Sequence, residues 1–268
     1  MTATEEARQD VLQRHRDNPL FTRLIGNHGF IELEDTWGDE ATIINTARIS
    51  VTNKRIKGTK DFTQREKDLL YHLLKNNHGT PFETVYFRFR FVAPVFVLRQ
   101  WVKHRISSWN EFSQRYRTPI DAFYIPNQAA RCVQSYEVMD AGQAERYCDL
   151  MESLYKFYED EYKVSCGRIE ALQSKGRLSG GSGPKDPFKA RARELFRNAM
   201  PVSTYSDVFW TVNFRSLMNF FGLRLDDHAQ YEIRQFAFAA FDMFQTKYPI
   251  LGETMMRVLD ERKQGGEK

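Results

Sequence analysis

The sequence predicts an α+β fold, with many helices around a small central sheet. Three observations carry this. Val85, Phe87, Phe89 and Phe91 alternate with Tyr86, Arg88, Arg90 and Val92, the period-2 signature of a half-buried strand. Thr63-Gln64-Arg65-Glu66 reads as a capping box ahead of an apolar stripe of Leu69, Leu70, Leu73 and Leu74. From about Ala141 to Leu172 the pattern is amphipathic at helical spacing.

The remaining elements follow in order. Residues 1–22 form a polar N-terminal extension, helical or partly ordered. Phe30–Leu33 reads as a strand. Gly38-Asp39 opens a helix with Ile43, Ile44, Ala47 and Ile49 on its apolar side. Residues 52–62 read as a basic loop, and the capped helix should end near Asn76, Asn77 and Gly79. Pro94 suits a helix start, and a helix from Val95 to about Arg105 follows. Residues 106–126 mix Ser, Asn, Pro and charge and read as a long ordered loop. Residues 178–184 are a Gly/Ser connector, too short for a domain boundary. Helical patterns resume at Asp186–Met200, Phe209–Phe221, Asp227–Thr246 and Leu251–Arg262, and residues 263–268 are a polar tail.

Composition narrows the function classes. With 268 residues and 41% hydrophobic content, the chain supports one substantial domain. Its 21 Phe and 12 Tyr suit packing between subunits as well as within one. Net charge is +4, spread without a Lys/Arg block or a nucleic-acid module of defined spacing. A phosphorylated small molecule explains that charge as well as a polymer does. Three cysteines, Cys132, Cys148 and Cys166, fit neither a disulfide framework nor a zinc site. The six histidines include no HExxH pair, so no metal is expected. The charged N-terminus lacks an apolar signal core and no apolar run reaches membrane length. The expectation is a soluble, cytoplasmic protein with no nucleic-acid or membrane partner.

Three segments carry candidate chemistry. Gln100, Lys103, His104 and Arg105 end an apolar helix, and Asn110, Glu111, Ser113, Gln114 and Arg115 follow on a loop. Cations and a Ser beside backbone amides suit a phosphate, and a solvated basic turn uses the same residue types. Asn213, Arg215, Asn219, Arg224 and His228 form a second cluster around Gly222. Asp227 is placed to cap the next helix, Arg224 and His228 share a side of the break, and Asn213 and Asn219 need partners within an apolar helical run. This too has a plain alternative, a capped helix–turn–helix with surface charge. His78, Thr80 and Glu83 lie on a turn that is uninformative by itself.

Lys103-His104-Arg105, then seven residues, then Ser113 resembles the signature of the flavin-dependent thymidylate synthases. The stretches HGTPFE, APVFVLRQW, NEFSQRY, FYIP, FWTVNFRSLMNF and LRLDDHAQYEI also resemble that family, in the same order, over roughly residues 23–262. The resemblance implies a homotetramer with active sites between subunits, long helices building the assembly, and reductive methylation of dUMP. It implies FAD, with 5,10-methylenetetrahydrofolate as carbon donor and NADPH as reductant. Carried over, Ser50, His78, Thr80, Glu83, Lys103, His104, Arg105, Asn110, Glu111, Asn213, Arg215, Asn219 and His228 fall at flavin positions. Gln100, Lys103, Glu111, Ser113, Gln114, Arg115, Arg197 and Arg224 fall at dUMP positions, with Arg224 as the catalytic cation that polarises the uracil base.

Two residues depart from the family pattern. Lys103 stands where the family has arginine, which keeps the charge and loses the planar fork. Gln114 stands where it usually has glycine. Both lie on the phosphate side and leave open a relative acting on another uridylate, such as UMP.

Overall fold

A computed structural model describes residues 3–26, 28–115, 120, 122–126, 132–133, 136–179 and 186–265. Five strands form an antiparallel sheet: β1 (Thr22–Ile25), β2 (Gly29–Trp37), β3 (Tyr86–Pro94), β4 (Ser107–Glu111) and β7 (Tyr205–Asn213). Their spatial order is β1-β2-β3-β7-β4, so β4 is an edge. A separate two-residue ribbon pairs β5 (Cys132–Val133) with β6 (Tyr136–Glu137).

Register explains why the sheet has one dry face. Phe87, Phe89 and Phe91 pair with Val212, Trp210 and Val208, and Trp109 pairs with Trp210. These side chains therefore share one face. The three phenylalanines, Val208 and Trp210 are fully buried. Each such ring contributes about 2–3 kcal/mol of hydrophobic stabilisation. The opposite face is polar and aromatic: Arg90 pairs with Asp207 at 2.8 Å, Arg88 with Glu34 at 3.2 Å, and Arg88 lies over Trp37.

The helices are α1 (Ala3–Asp17), α2 (Glu40–Arg48), α3 (Gln64–Lys75), α4 (Val95–Trp101), α5 (Ala141–Ser174), α6 (Pro187–Phe196), α7 (Phe214–Arg224), α8 (Tyr231–Lys247) and α9 (Pro249–Gly265). Residues of α2, α3, α4, α7, α8 and α9 join the dry face in one core, whereas α1 meets Glu32, which pairs with Arg90 on the polar face. Phe214 and Phe244 bring α7 and α8 against Phe87, with ring centroids 6.2 and 5.7 Å from it. In α1, Arg14 reaches Glu32 of β2 at 3.3 Å and His15 contacts the Thr22 carbonyl at 2.9 Å, so the extension rests on the sheet. Among the described residues no helix is long and apolar enough to cross a membrane.

Two predicted elements change. The expected helix over Phe209–Phe221 is a strand followed by a helix. Trp210, Phe214, Leu217 and Phe221 fit helical spacing, which hides the period-2 set Val208, Trp210 and Val212. The switch falls at Asn213, whose side chain caps α7 by accepting from the Ser216 amide at 2.9 Å. The expected loop over 106–126 contains β4. That edge strand sends only Trp109 into the core among its large residues, so its polar sequence shows no alternation. Smaller corrections concern boundaries. Helix α4 stops at Trp101, Ile49 lies past α2 and is exposed, and Asp227 pairs with Arg234 while Gln230 occupies the cap position of α8. Most of the 178–184 connector and residues 266–268 of the tail lie outside the described residues.

The capping box forms as expected and gains a partner. Glu66 accepts from the Thr63 hydroxyl and from its amide (2.8 Å), and pairs with Arg48 at 2.6 Å. Thr63 first, then Arg48, pulls the Glu66 carboxyl down from 4.5 to about 2. A depressed carboxyl contributes stability that is complete above its unfolded value and lost as pH falls through the folded one. We expect Glu66→Gln to destabilise the protein at neutral pH and to converge with wild type between pH 4.5 and about 2. Thermal melts of both proteins across that range check this.

Candidate active site

The site is built outward from a stack of rings. Trp101 lies between Phe91 and Phe220, with centroids 4.0 and 4.8 Å away, and all three are fully buried. After Trp101 the chain turns, and the His104 amide donates to the Trp101 carbonyl at 2.9 Å. This seats the His104 ring edge-on against Phe220 at 5.0 Å. Arg224 lies one helical turn beyond Phe220 on α7. Its Nε donates to His104 Nε2 at 3.1 Å, and its Nη2 approaches the Gln100 carbonyl at 3.5 Å.

The protonation state of this pair follows from its geometry. A guanidinium only donates, so His104 Nε2 must present its lone pair and the ring proton sits on Nδ1. Burial first, then the Arg224 charge, pushes His104 down from 6.5 to about 4. Burial also lowers Arg224 from its ordinary value, but an arginine remains charged at neutral pH. Among the described residues no carboxylate lies within ion-pair distance of Arg224. The result is a half-buried cation fixed by neutral acceptors, suited to a ligand carbonyl or anion.

A second group follows along the sheet edge. Lys103 and Arg105 are exposed and form no ion pair among the described residues, and Asn110 is exposed on β4. Glu111 accepts from the Ser206 hydroxyl at 2.9 Å. Beyond it, Ser113 Oγ accepts from the Arg115 amide at 3.3 Å. Arg115 pairs with Glu194 of α6 at 2.5 Å, and Arg193 Nε donates to the Arg115 carbonyl at 3.0 Å. Arg197, in the turn after α6, adds its positive field at Glu194. Arg115, Arg193 and Arg197 therefore concentrate positive charge around the Ser113–Arg115 loop, and Gln114 is half-buried within it.

A third group gathers where β3 begins and α7 starts. Glu83 pairs with Arg215. Gly79 lies beneath that guanidinium, since a Cβ there would stand 2.6 Å from Arg215 Nε. His78 and Thr80 are exposed on the same turn, and Asn219 is exposed one turn along α7 from Arg215. The structure separates other expected neighbours. Arg224 turns toward His104, whereas His228 has a 98% exposed side chain beside Asp226. Asn213 and Asn219 are not partnered inside a helix: one caps it and the other faces outward. Ser50 is exposed beyond the end of α2 and joins none of these groups.

Sequence reasoning gave no role to Gln230, Glu232, Tyr124 or Glu194, all of which the structure ties to site residues. The first three lie inside LRLDDHAQYEI and FYIP, so the stretches were visible although the contacts between them were not.

Residues 32–250 match the family described as thymidylate synthase complementing protein. The flavin-dependent thymidylate synthase of Thermosipho africanus is 37% identical over 234 residues, spanning 85% of this chain and 91% of the relative. That of Rickettsia conorii is 32% identical over 228 residues, spanning 85% and 75%. A solved structure of the UMP/dUMP methylase PolB from Streptomyces cacaoi, bound with 5-Br UMP, superposes with a TM-score of 0.64 at 25% identity, covering 87% of this chain and 95% of PolB. The chain belongs to the flavin-dependent thymidylate synthase family.

Proposed function

We propose that this protein is a flavin-dependent thymidylate synthase converting dUMP to dTMP, with 5,10-methylenetetrahydrofolate as carbon donor and NADPH as reductant of FAD. The single observation that carries this reading is the fixed Arg224 on neutral His104, with no carboxylate partner among the described residues, within a chain of that family. C5 of uracil is a weak nucleophile. A cation at the carbonyl edge of the base stabilises the negative charge that develops as the ring becomes electron-rich. Arg224 is positioned for this by acceptors that leave its charge uncompensated, and it gives up no proton.

The other groups divide the binding work. Ser113, Gln114, Arg115 and Arg197 hold the nucleotide phosphate, Gln100 and Glu111 bind dUMP away from it, and Lys103 adds one cation where the family has a planar fork. His78, Thr80, Glu83, Ser50, Arg105, Asn110, Asn213, Arg215, Asn219 and His228 line the flavin side. The donor chemistry fits: exposed cations and amides suit the pyrophosphate and ring edges of FAD. Bound FAD supplies the redox capacity, and the protein's task is to orient the reactants. The groups lie on different elements, and Asn219, His78 and His228 face outward from one chain. This favours a homotetramer in which subunits share each site. A cytoplasmic setting agrees with the two free cysteines among the described residues.

A second reading rests on a specific observation. PolB, a structural relative, is a UMP/dUMP methylase, and Lys103 and Gln114 depart from the family on the phosphate side. Turnover of dUMP and UMP side by side separates the two.

Two outcomes are expected. Arg224→Ala should lose at least about 100-fold in turnover, the usual scale for removing a group that stabilises transition-state charge. Its flavin absorption should stay at the wild-type level, and flavin release would instead put Arg224 in the cofactor site. His104 should titrate near 4 by proton NMR. Because its folded value is depressed, stability should fall as pH drops from 6.5 toward 4. A midpoint near 6.5 would contradict the burial of His104 against the Arg224 charge.

A further inference from the structure

A hydrogen-bonded relay runs from the first turn of α8 to Gln100. Glu232 is half-buried and accepts twice. Tyr124 donates its hydroxyl to Oε1 at 2.8 Å, and Gln230 Nε2 donates to Oε2 at 2.8 Å. Gln230 Oε1 in turn accepts from Gln100 Nε2. The backbone carbonyl of the same Gln100 lies against Arg224.

The direction of this relay is set by charge. An ionised carboxylate only accepts, so Gln230 must turn its NH2 toward Glu232. Its carbonyl oxygen then faces Gln100, and Gln100 must turn its own NH2 toward Gln230. Among the described residues that leaves the Gln100 carbonyl oxygen and one remaining N–H for a ligand, in a fixed orientation. The far end is anchored as well. The Tyr124 amide donates to the Ser203 carbonyl at 2.8 Å, its own carbonyl accepts from Tyr147 at 2.9 Å, and its ring meets Phe96 edge-on at 5.3 Å. Burial, then Glu232, pushes the Tyr124 phenol well above its ordinary range, so it stays a donor. Tyr124 and Glu232 also line a small cavity with Leu24, Pro94, Tyr205 and Phe236.

We infer that Glu232 and Gln230 are positioning residues that set the amide polarity of Gln100 toward the nucleotide. This rests on the reading that Gln100 binds dUMP. Gln230 is exposed, and bonds between exposed groups add little to stability. Substitution there therefore tests the role without threatening the fold.

The test is a double-mutant cycle on the flavin-loaded enzyme, reading KM for dUMP, kcat, flavin content and melting temperature. Glu232→Gln and Gln230→Leu should each raise KM by about 3- to 10-fold, the scale of one hydrogen bond, and leave kcat within about two-fold. Gln100→Ala should raise KM at least as much. Adding Glu232→Gln to Gln100→Ala should then change KM by less than about two-fold, because the relay has nothing left to orient. Independent, multiplicative losses would overturn the inference, as would a normal KM in Gln230→Leu. Should Glu232→Gln melt early or lose flavin, Gln230→Leu decides alone. A wild-type protein that does not turn over dUMP would overturn the parent reading instead, whereas wild-type turnover with an unchanged KM in Gln100→Ala overturns this inference.

Discussion

Trp101 is sandwiched between Phe91 of the sheet and Phe220 of α7, and the position of Arg224 depends on that sandwich. Phe220 carries the His104 ring on one side and precedes Arg224 by one turn on the same helix. The two ends of the Arg224–His104 contact therefore come from segments 120 residues apart, locked by one apolar stack. Truncating a buried ring of this kind costs about 3–5 kcal/mol. A hydrogen bond to a charged group contributes about 1.5–3 kcal/mol. The stack is the stronger partner, so packing dictates where the charge sits, and the hydrogen bond adapts.

That order of strengths explains an arginine with no carboxylate partner among the described residues. Burying an uncompensated charge is costly, and the structure limits the cost by keeping Arg224 half-buried and giving it two neutral acceptors. A carboxylate in their place would neutralise the field that the proposed chemistry uses. Glu83 and Glu194 do pair with Arg215 and Arg115, and the unpaired Lys103 and Arg105 are exposed, whereas Arg224 is half-buried.

The central strand and the capped helix were legible because local pattern and burial agree there: Phe87, Phe89 and Phe91 all point inward, and Glu66 reaches back to Thr63. β7 was misread because Trp210, Phe214, Leu217 and Phe221 satisfy helical spacing across a strand–helix junction. β4 was missed because an edge strand with a polar outer side has little periodicity to show. At the site, residue types and the Lys103–Ser113 spacing pointed to segments that the structure gathers around Arg224 and the Ser113–Arg115 loop. The pairing of His104 with Arg224, the outward turn of His228 and the relay through Gln230 depend on contacts between distant segments, and no local pattern encodes them.

The central claim is that these residues serve methylation at C5 of a uracil nucleotide. It is tested most directly by tritium release from dUMP labelled at C5, using the flavin-loaded protein. The account predicts release into water that requires both methylenetetrahydrofolate and NADPH and that matches dTMP formed one for one. A flavin-loaded protein that retains the label under those conditions would contradict it.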